Sequence, residues 1–199
     1  MCVVFFMQKN RIKLIAWVTL LGFPLLGITI VGFVETNPWE FDFRWGSNVI
    51  LQIGIGSAYG ILTGLVAWKL LTTPYMRQVL DTYGRIIWRF KLSPLLVIFI
   101  SVAAGVGEEF LFRGVIQAYW GIWITAIVFV AIHGYLNPRD KKISLYGFYM
   151  ILVISGMGYL TEYLGLVSAM AAHTWVDIIL LFRMKNRKRA IPMDINEEL

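Results

Sequence analysis

Charged residues and cysteine are both scarce in this chain. Only 15% of its 199 residues are charged, against roughly a quarter in soluble domains, and 58% are hydrophobic. A single soluble core cannot cover so much apolar surface. The composition therefore excludes an ordinary soluble protein and predicts one integral membrane domain over residues 1–199. The only cysteine, Cys2, excludes a disulfide within the chain.

Several familiar functional patterns are also missing. The helical zinc motif HExxH does not occur, and no serine stands beside a histidine as a nucleophile would, since Ser168 lies five residues from His173 on another face. The lack of an internal repeat disfavours a proton-coupled transporter. The net charge of +6 does not predict a nucleic-acid partner, because lysine and arginine in so apolar a chain mark the cytoplasmic side of a membrane.

Long apolar runs dominate the chain instead. A run of about 20 apolar residues can cross a bilayer as a helix. The sequence therefore predicts an all-α, polytopic membrane protein with about six transmembrane helices. Pro24 predicts a kink in the first, and the fourth is so short that it must be tilted or shielded. The predicted spans are residues 14–34, 49–71, 94–119, 122–136, 143–160 and 164–182.

Basic residues cluster at positions 9–13, 77–91, 139–142 and 183–189. With six crossings all four clusters lie on the same side of the membrane. The positive-inside rule then places both termini in the cytoplasm. The short loops and small size favour a bacterial plasma membrane.

Residues 72–93 have the pattern of an amphipathic helix rather than a span. Thr73 can cap this helix and Pro74 suits its first turn. The pattern predicts a helix lying on the inner membrane surface, with an ordinary basic linker as the alternative. Its apolar face comprises Met76, Val79, Leu80, Tyr83, Ile86, Ile87 and Phe90, and its polar side Arg77, Asp81, Arg85 and Arg89.

A few ionisable residues fall inside the apolar spans, where they are rare and by default mark function. They lie on three predicted helices and include both histidines of the chain. Such a set predicts a functional site in the membrane. Its members are Glu108, Glu109, Arg113, His133, His173 and Asp177.

The spacing of these residues separates their roles. Residues four apart on a helix share a face, so Glu109 and Arg113 are predicted to form a buried structural pair. Glu108 has a phenylalanine at that spacing and stays available for chemistry. His173 and Asp177 also share a face.

A free carboxylate and two imidazoles can hold and deprotonate a water molecule. The same three residues, Glu108, His133 and His173, have the chemistry to bind a divalent metal such as zinc. The sequence therefore leaves two alternatives open, a site without a cofactor and a metal site.

Three short motifs resemble one known family. EEFLFR matches E-E-x-x-x-R, FVAIH matches F-x-x-x-H, and HTWVD matches H-x-x-x-(N/D), in this order on successive apolar helices. Together they resemble the CAAX-protease and bacteriocin-processing family (CPBP, or Abi), whose best-known branch is the type II CAAX prenyl endopeptidase. The resemblance covers residues 94–182, which would form the catalytic core.

The resemblance implies a role for each motif residue. Glu108 would be the catalytic glutamate, and His133 would help it hold the water. His173 and Asp177 would stabilise the oxyanion, although an aspartate where many relatives have asparagine can instead orient His173 or favour a metal. The remaining motif residues are Glu109, Arg113 and Phe129, the last of which is expected to serve mainly in packing.

The implied activity is that of an intramembrane endopeptidase. Its substrate would be a membrane-embedded or lipidated peptide, and its surroundings the lipid bilayer. The alternative is a non-enzymatic immunity or scaffold protein that binds a partner in the membrane.

The positions of the site residues along their helices raise a geometric problem. Glu108 lies about 21 Å and His133 about 5 Å from the cytoplasmic ends of their predicted spans. Straight, upright helices would keep the two residues apart. The sequence therefore predicts a third helix that begins near Ala103 or bends at Gly105 and Gly107, or a fourth helix that continues past Tyr135.

Overall fold

The computed structural model describes residues 2–90 and 92–187, and this part of the chain is helical without a β-strand. The predicted all-α class is confirmed. Lys91 and residues 188–199, which include parts of two basic clusters, lie outside the described residues. The α-helices are α1 (Cys2–Trp17), α2 (Phe23–Val34), α3 (Val49–Leu71), α4 (Arg77–Arg89), α5 (Pro94–Leu111), α6 (Gln117–Ile132), α7 (Lys141–Tyr163) and α8 (Leu166–Asn186).

Two π-helical turns join some of these helices into longer ones. Val18–Gly22 connects α1 to α2, and Phe112–Ile116 connects α5 to α6. The first turn lies directly before Pro24, at the place where a kink is predicted. Proline lacks an N–H and crowds the carbonyl four residues earlier, which a widened turn accommodates.

Five helical segments are long and apolar enough to cross a membrane within the described residues. The chain is thus an integral membrane protein. The count of six crossings stays a prediction, because the fourth predicted span is not a separate segment. The five are Asn10–Val34, Val49–Leu71, Pro94–Ile132, Lys141–Tyr163 and Leu166–Asn186.

The segment Pro94–Ile132 is a hairpin rather than one rod. Its 39 residues would measure about 58 Å as a straight helix, twice the hydrocarbon core of a bilayer. Gly121 breaks it with a φ of 73° and a ψ of 172°. The rings of Phe112 and Phe129, which lie on either side of Gly121 in the sequence, are 4.9 Å apart, which shows that the chain reverses at this glycine. The returning arm, residues 122–132, is only about 16 Å long, and α7 covers it where Gly158 packs against Ile122.

Polar contacts divide the loops between two ends of the bundle. At one end α4 meets the end of α8 and the start of α7. At the other end the 35–48 loop meets the hairpin turn and the end of α7. This division agrees with the sides predicted from the basic clusters, whereas the cytoplasmic position of the termini stays a prediction. The contacts at the first end are Trp88 to the Met184 carbonyl (2.8 Å), Arg187 to Asp81 (2.7 Å) and Lys142 to Gln78 (3.1 Å), and those at the second are Arg44 to Glu162 and Tyr119 to Glu35 (2.6 Å).

The amphipathic helix predicted within residues 72–93 is present as α4, but its apolar face contacts the protein. Met76, Val79 and Leu80 are buried in the main core together with residues of α3, α6, α7 and α8. The expected contact of this face with lipid is therefore replaced by protein packing. As a result, α4 closes one end of the bundle.

Glycines bring α3 and α8 into close contact. Gly56, Gly60 and Gly64 lie against Ser168, Ala172 and Val176, so both helices advance by four residues from one contact to the next. The two helices therefore run parallel. Small residues at such steps let helix backbones approach closely in membranes. This packing holds the part of α8 that carries His173.

Replacing Gly60 by Ala is expected to destabilise the protein strongly. A Cβ at this position would overlap the Ala172 backbone, which cannot move aside as a flexible side chain would. Thermal unfolding in lipid nanodiscs measures the effect. Gly54→Ala is the matched control, because Gly54 lies on the same helix and a Cβ there would meet nothing within 4 Å. Equal melting temperatures for the two variants would contradict the close packing of α3 on α8.

Candidate active site

Helices α5 and α8 run antiparallel and bring the predicted site residues together. A Cβ at Gly105 would overlap Thr174, and one at Gly114 would crowd Leu166. As the residue number rises along α5, the residue number of its contact on α8 falls. Glu109, between these glycines, lies level with His173.

The predicted pair of Glu109 and Arg113 is present and fully buried. Glu109 Oε2 lies 3.0 Å from Arg113 Nε, and the two side chains are 0% and 1% exposed. The other oxygen of Glu109 accepts a hydrogen bond from His173 Nδ1 at 2.7 Å. Spacing along the chain carries no signal for this second contact, because it joins two helices. Glu109 therefore also orients His173.

Glu108, the residue before Glu109 on α5, meets both histidines. Its Oε2 atom lies 3.5 Å from His133 Nε2 and 4.0 Å from His173 Nε2. This atom is buried and has no hydrogen-bond partner among the described residues. The predicted convergence of Glu108, His133 and His173 is thus observed, while their catalytic roles stay predictions.

The helices meet without the predicted distortions. Helix α5 begins at Pro94 rather than near Ala103 and stays helical through Gly105 and Gly107, and α6 ends at Ile132 rather than past Tyr135. These expectations were wrong because they placed the ends of the two helices at one level.

The true levels follow from the packing of α5. Its first turn, with Leu96 and Val97, packs against Leu181 and Phe182 near the end of α8. Val97 precedes Glu108 by about 16 Å along the helix. Helix α5 therefore extends well beyond the site, whereas α6 stops at it.

Phe129 organises both histidines and the arginine. The His133 ring lies nearly parallel to Phe129 with centroids 4.3 Å apart, and His173 meets the same ring at 5.9 Å and 80°. The Arg113 guanidinium lies 4.6 Å from the ring centroid. The Phe129 carbonyl also accepts a hydrogen bond from His133 Nδ1 at 2.7 Å. That bond leaves His133 Nε2 facing Glu108.

Asp177 lies beside His173, as their spacing predicts. Its Oδ2 atom is 3.8 Å from His173 Nε2, the nitrogen that also faces Glu108. Carboxylate and imidazole groups are donors that zinc accepts. Within residues 2–90 and 92–187, however, no group of three or more His, Cys, Asp and Glu side chains is arranged to hold one ion.

An apolar cavity of about 190 Å³ borders Glu108 on its other side. It lies between α1 and α5, and Glu108 is the charged residue among those that line it in the described part of the chain. The carboxylate is therefore placed between the histidines and a groove of hydrocarbon. The other lining residues are Ile12, Ile15, Ala16, Thr19, Ile100 and Ala104.

The fold and this cluster define an all-helical membrane protein with a carboxylate and imidazole centre among its spans. Residues 90–179, which contain all three motifs, match the type II CAAX prenyl endopeptidase Rce1-like family. This match confirms the predicted resemblance to the CPBP family over that segment and supports a protease.

One curated relative is similar to slightly less than half of the chain. Over 91 residues the chain is 34% identical to "Uncharacterized protein YpbD" of Bacillus subtilis (strain 168). The aligned region covers 45% of this chain and 46% of that protein, so the chain spans about half the length of this relative. No solved structure matches the chain.

Proposed function

We propose that the protein is an intramembrane endopeptidase in which Glu108 activates a water molecule. The observation that supports this function best is the meeting of Glu108 Oε2 with the Nε2 atoms of His133 and His173, at 3.5 and 4.0 Å. Because Glu109 is the counter-ion of Arg113, Glu108 pairs with no arginine or lysine in the described residues. It is the carboxylate available as a base.

The positions of Glu108 and His133 suit the activation of water. A water oxygen can lie about 2.8 Å from each of two atoms that are 3.5 Å apart. His133 Nε2 is an acceptor, since Nδ1 carries the proton donated to Phe129. The water thus donates one hydrogen to Glu108 and the other to His133, which leaves an oxygen lone pair free to attack.

Hydrolysis then proceeds by proton transfer through Glu108. The water oxygen bonds to the peptide carbonyl carbon while its proton moves to the Glu108 carboxylate. The tetrahedral intermediate collapses when Glu108 returns that proton to the leaving nitrogen and the C–N bond breaks. The products are a carboxylic acid and an amine.

His173 supplies the group that faces the oxyanion. Glu109 fixes its ring through Nδ1, so Nε2 points toward Glu108. In the imidazolium form Nε2–H can donate to the oxyanion. An ionised Asp177 cannot donate, and at 3.8 Å from Nε2 it acts on His173 instead. Asp177 thereby holds the ring and stabilises its protonated form.

The cavity between α1 and α5 favours a route by which the substrate reaches Glu108 from the bilayer. Its lining is apolar apart from Glu108 and Thr19, so it suits an apolar segment or a lipid chain better than a polar peptide. Exclusion of bulk water from this region strengthens the fixed charges around the reacting carbonyl. The substrate class is therefore a membrane-embedded or lipidated peptide.

Cleavage profiling tests this function. The purified protein in nanodiscs is incubated with lipidated and unlipidated membrane peptides in H₂¹⁸O, and products are identified by mass spectrometry. We expect one ¹⁸O atom in each new carboxylate. A parallel incubation with a chelator distinguishes a site without a cofactor from a metal site. Only a metal-dependent enzyme loses activity in the chelator and regains it when zinc is added. Binding of peptides without any cleavage would instead favour the scaffold alternative.

A further inference from the structure

Tyr135 adjoins the candidate site but belongs to none of the three motifs. It follows His133 by two residues, at the point where α6 ends. Gly134 adopts a φ of 77°, and its N–H donates to the Ala131 carbonyl at 2.9 Å. The Tyr135 N–H donates to the Val130 carbonyl at 3.2 Å. These two bonds form a Schellman cap, which fixes the backbone from His133 to Tyr135.

The His133 side chain needs support because it lies at a helix end and is 33% exposed. Its ring is nearly parallel to that of Tyr135, at 16° with centroids 6.2 Å apart. This separation is within the range of aromatic pairs. Burial raises the pKa of the Tyr135 hydroxyl, so the ring is neutral and contacts His133 by packing. Phe129 and Tyr135 are thus two rings aligned with the imidazole.

Two neighbours hold the Tyr135 ring in turn. Tyr146 of α7 meets it edge-on at 5.3 Å, and Tyr83 of α4 lies 6.0 Å away. The Tyr135 carbonyl packs against Gly147, where a Cβ would overlap it. Tyr135 is therefore held by α7 from one side and by α4 from another.

Helix α4 is itself tied to the bundle. Its Asp81 pairs with Arg187 at 2.7 Å, and its Trp88 donates to the Met184 carbonyl at 2.8 Å. Because Val79 and Leu80 are buried in the core, α4 is a fixed support for Tyr83. A continuous path of contacts thus joins α4 to the histidine that faces Glu108.

We propose that Tyr135 is a positioning residue that holds the His133 ring opposite Glu108, and that α4 supports it through Tyr83. The catalytic consequence rests on the proposed function, whereas the position of His133 can be measured without any activity. The two parts of the proposal can therefore fail separately.

Histidine-selective ¹³C and ¹⁵N labelling provides the direct measurement, because the chain contains only two histidines. His133→Gln identifies the His133 ring signal by its loss. Tyr135→Leu is expected to move and broaden that signal and to leave the His173 signal in place. Tyr83→Leu should change it in the same direction by a smaller amount. Tyr135→Phe keeps the ring and should restore the wild-type signal.

The matched control is Tyr163→Leu. Tyr163 also stacks on another tyrosine, Tyr159, but it is 80% exposed and lies at the opposite end of the bundle. This variant should leave both histidine signals unchanged. The proposal is overturned if Tyr135→Leu leaves the His133 signal in place, or if the phenylalanine variant disturbs it as much as the leucine variant does.

Cleavage assays test the consequence for catalysis. Misplacing a reacting group by about 1 Å can lower a rate by about 100-fold. We expect Tyr135→Leu to lower kcat by about 10- to 100-fold with little change in KM, and Tyr135→Phe to retain wild-type kcat. A moved His133 signal with normal kcat would support the positioning of His133 by Tyr135 and contradict only the role of His133 in hydrolysis.

Discussion

Glu108→Gln is expected to abolish peptide cleavage while the protein stays folded. The amide keeps the size of the side chain and removes the group that accepts the proton of water. Loss of a general base lowers rates by about 10²–10⁴-fold. Folding should be retained, because Glu108 is 15% exposed, and its buried Oε2 atom has no hydrogen-bond partner among the described residues to lose. Cleavage rates and melting temperatures measured on one preparation check both parts.

Glu40→Gln is the matched control for this substitution. Glu40 is exposed in the 35–48 loop, far along the chain from the histidines, and its replacement should change neither rate nor stability. Normal cleavage by Glu108→Gln would show that another group is the base. A rate lost together with the fold would be resolved by Glu108→Asp, which keeps the charge and should retain some activity.

Glu109→Gln is expected to have the opposite result, a large loss of stability. The substitution leaves the Arg113 guanidinium buried at 1% exposure without its carboxylate. Both Nη atoms of this arginine already lack a hydrogen-bond partner among the described residues. Breaking a buried ion pair destabilises a protein by about 3–5 kcal/mol. Thermal unfolding in nanodiscs, followed by circular dichroism, measures the loss.

The double variant Glu109→Gln with Arg113→Met separates charge from packing. Methionine fills a similar volume against Phe129, and removal of both charges leaves no unpaired ion in the core. The double variant should therefore recover much of the stability that Glu109→Gln loses. If Glu109→Gln melts with the wild type, Glu109 is not the counter-ion of Arg113.

Contacts within one helix were predictable from the sequence. Residues four apart share a face whatever the rest of the protein does, so the pairs Glu109–Arg113 and His173–Asp177 follow from spacing alone. The continuous apolar runs were equally sufficient for an all-helical membrane protein, because a run of about 20 apolar residues spans a bilayer as a helix, whereas the strands of a membrane barrel alternate apolar and polar residues. The three motifs indicated a resemblance to the family whose model matches residues 90–179.

Contacts between helices depended on the tertiary structure. The bond from His173 to Glu109 and the approach of His133 to Glu108 join residues from different helices. Their positions depend on how far each helix extends along its neighbour. The predicted spans already placed Glu108 far from the end of its helix and His133 close to the end of its own, but nothing in the sequence indicates that α5 begins beyond the level at which α6 ends.

The sequence by itself thus determined the class of protein, the helices and the residues that gather in the membrane. Only the tertiary structure decided which of those residues meet, that α4 packs against the bundle, and that Tyr135 contacts His133. The physical reason is that helical periodicity is a local property of the chain. The level at which helices cross is set instead by close packing, such as that of Gly60 on Ala172.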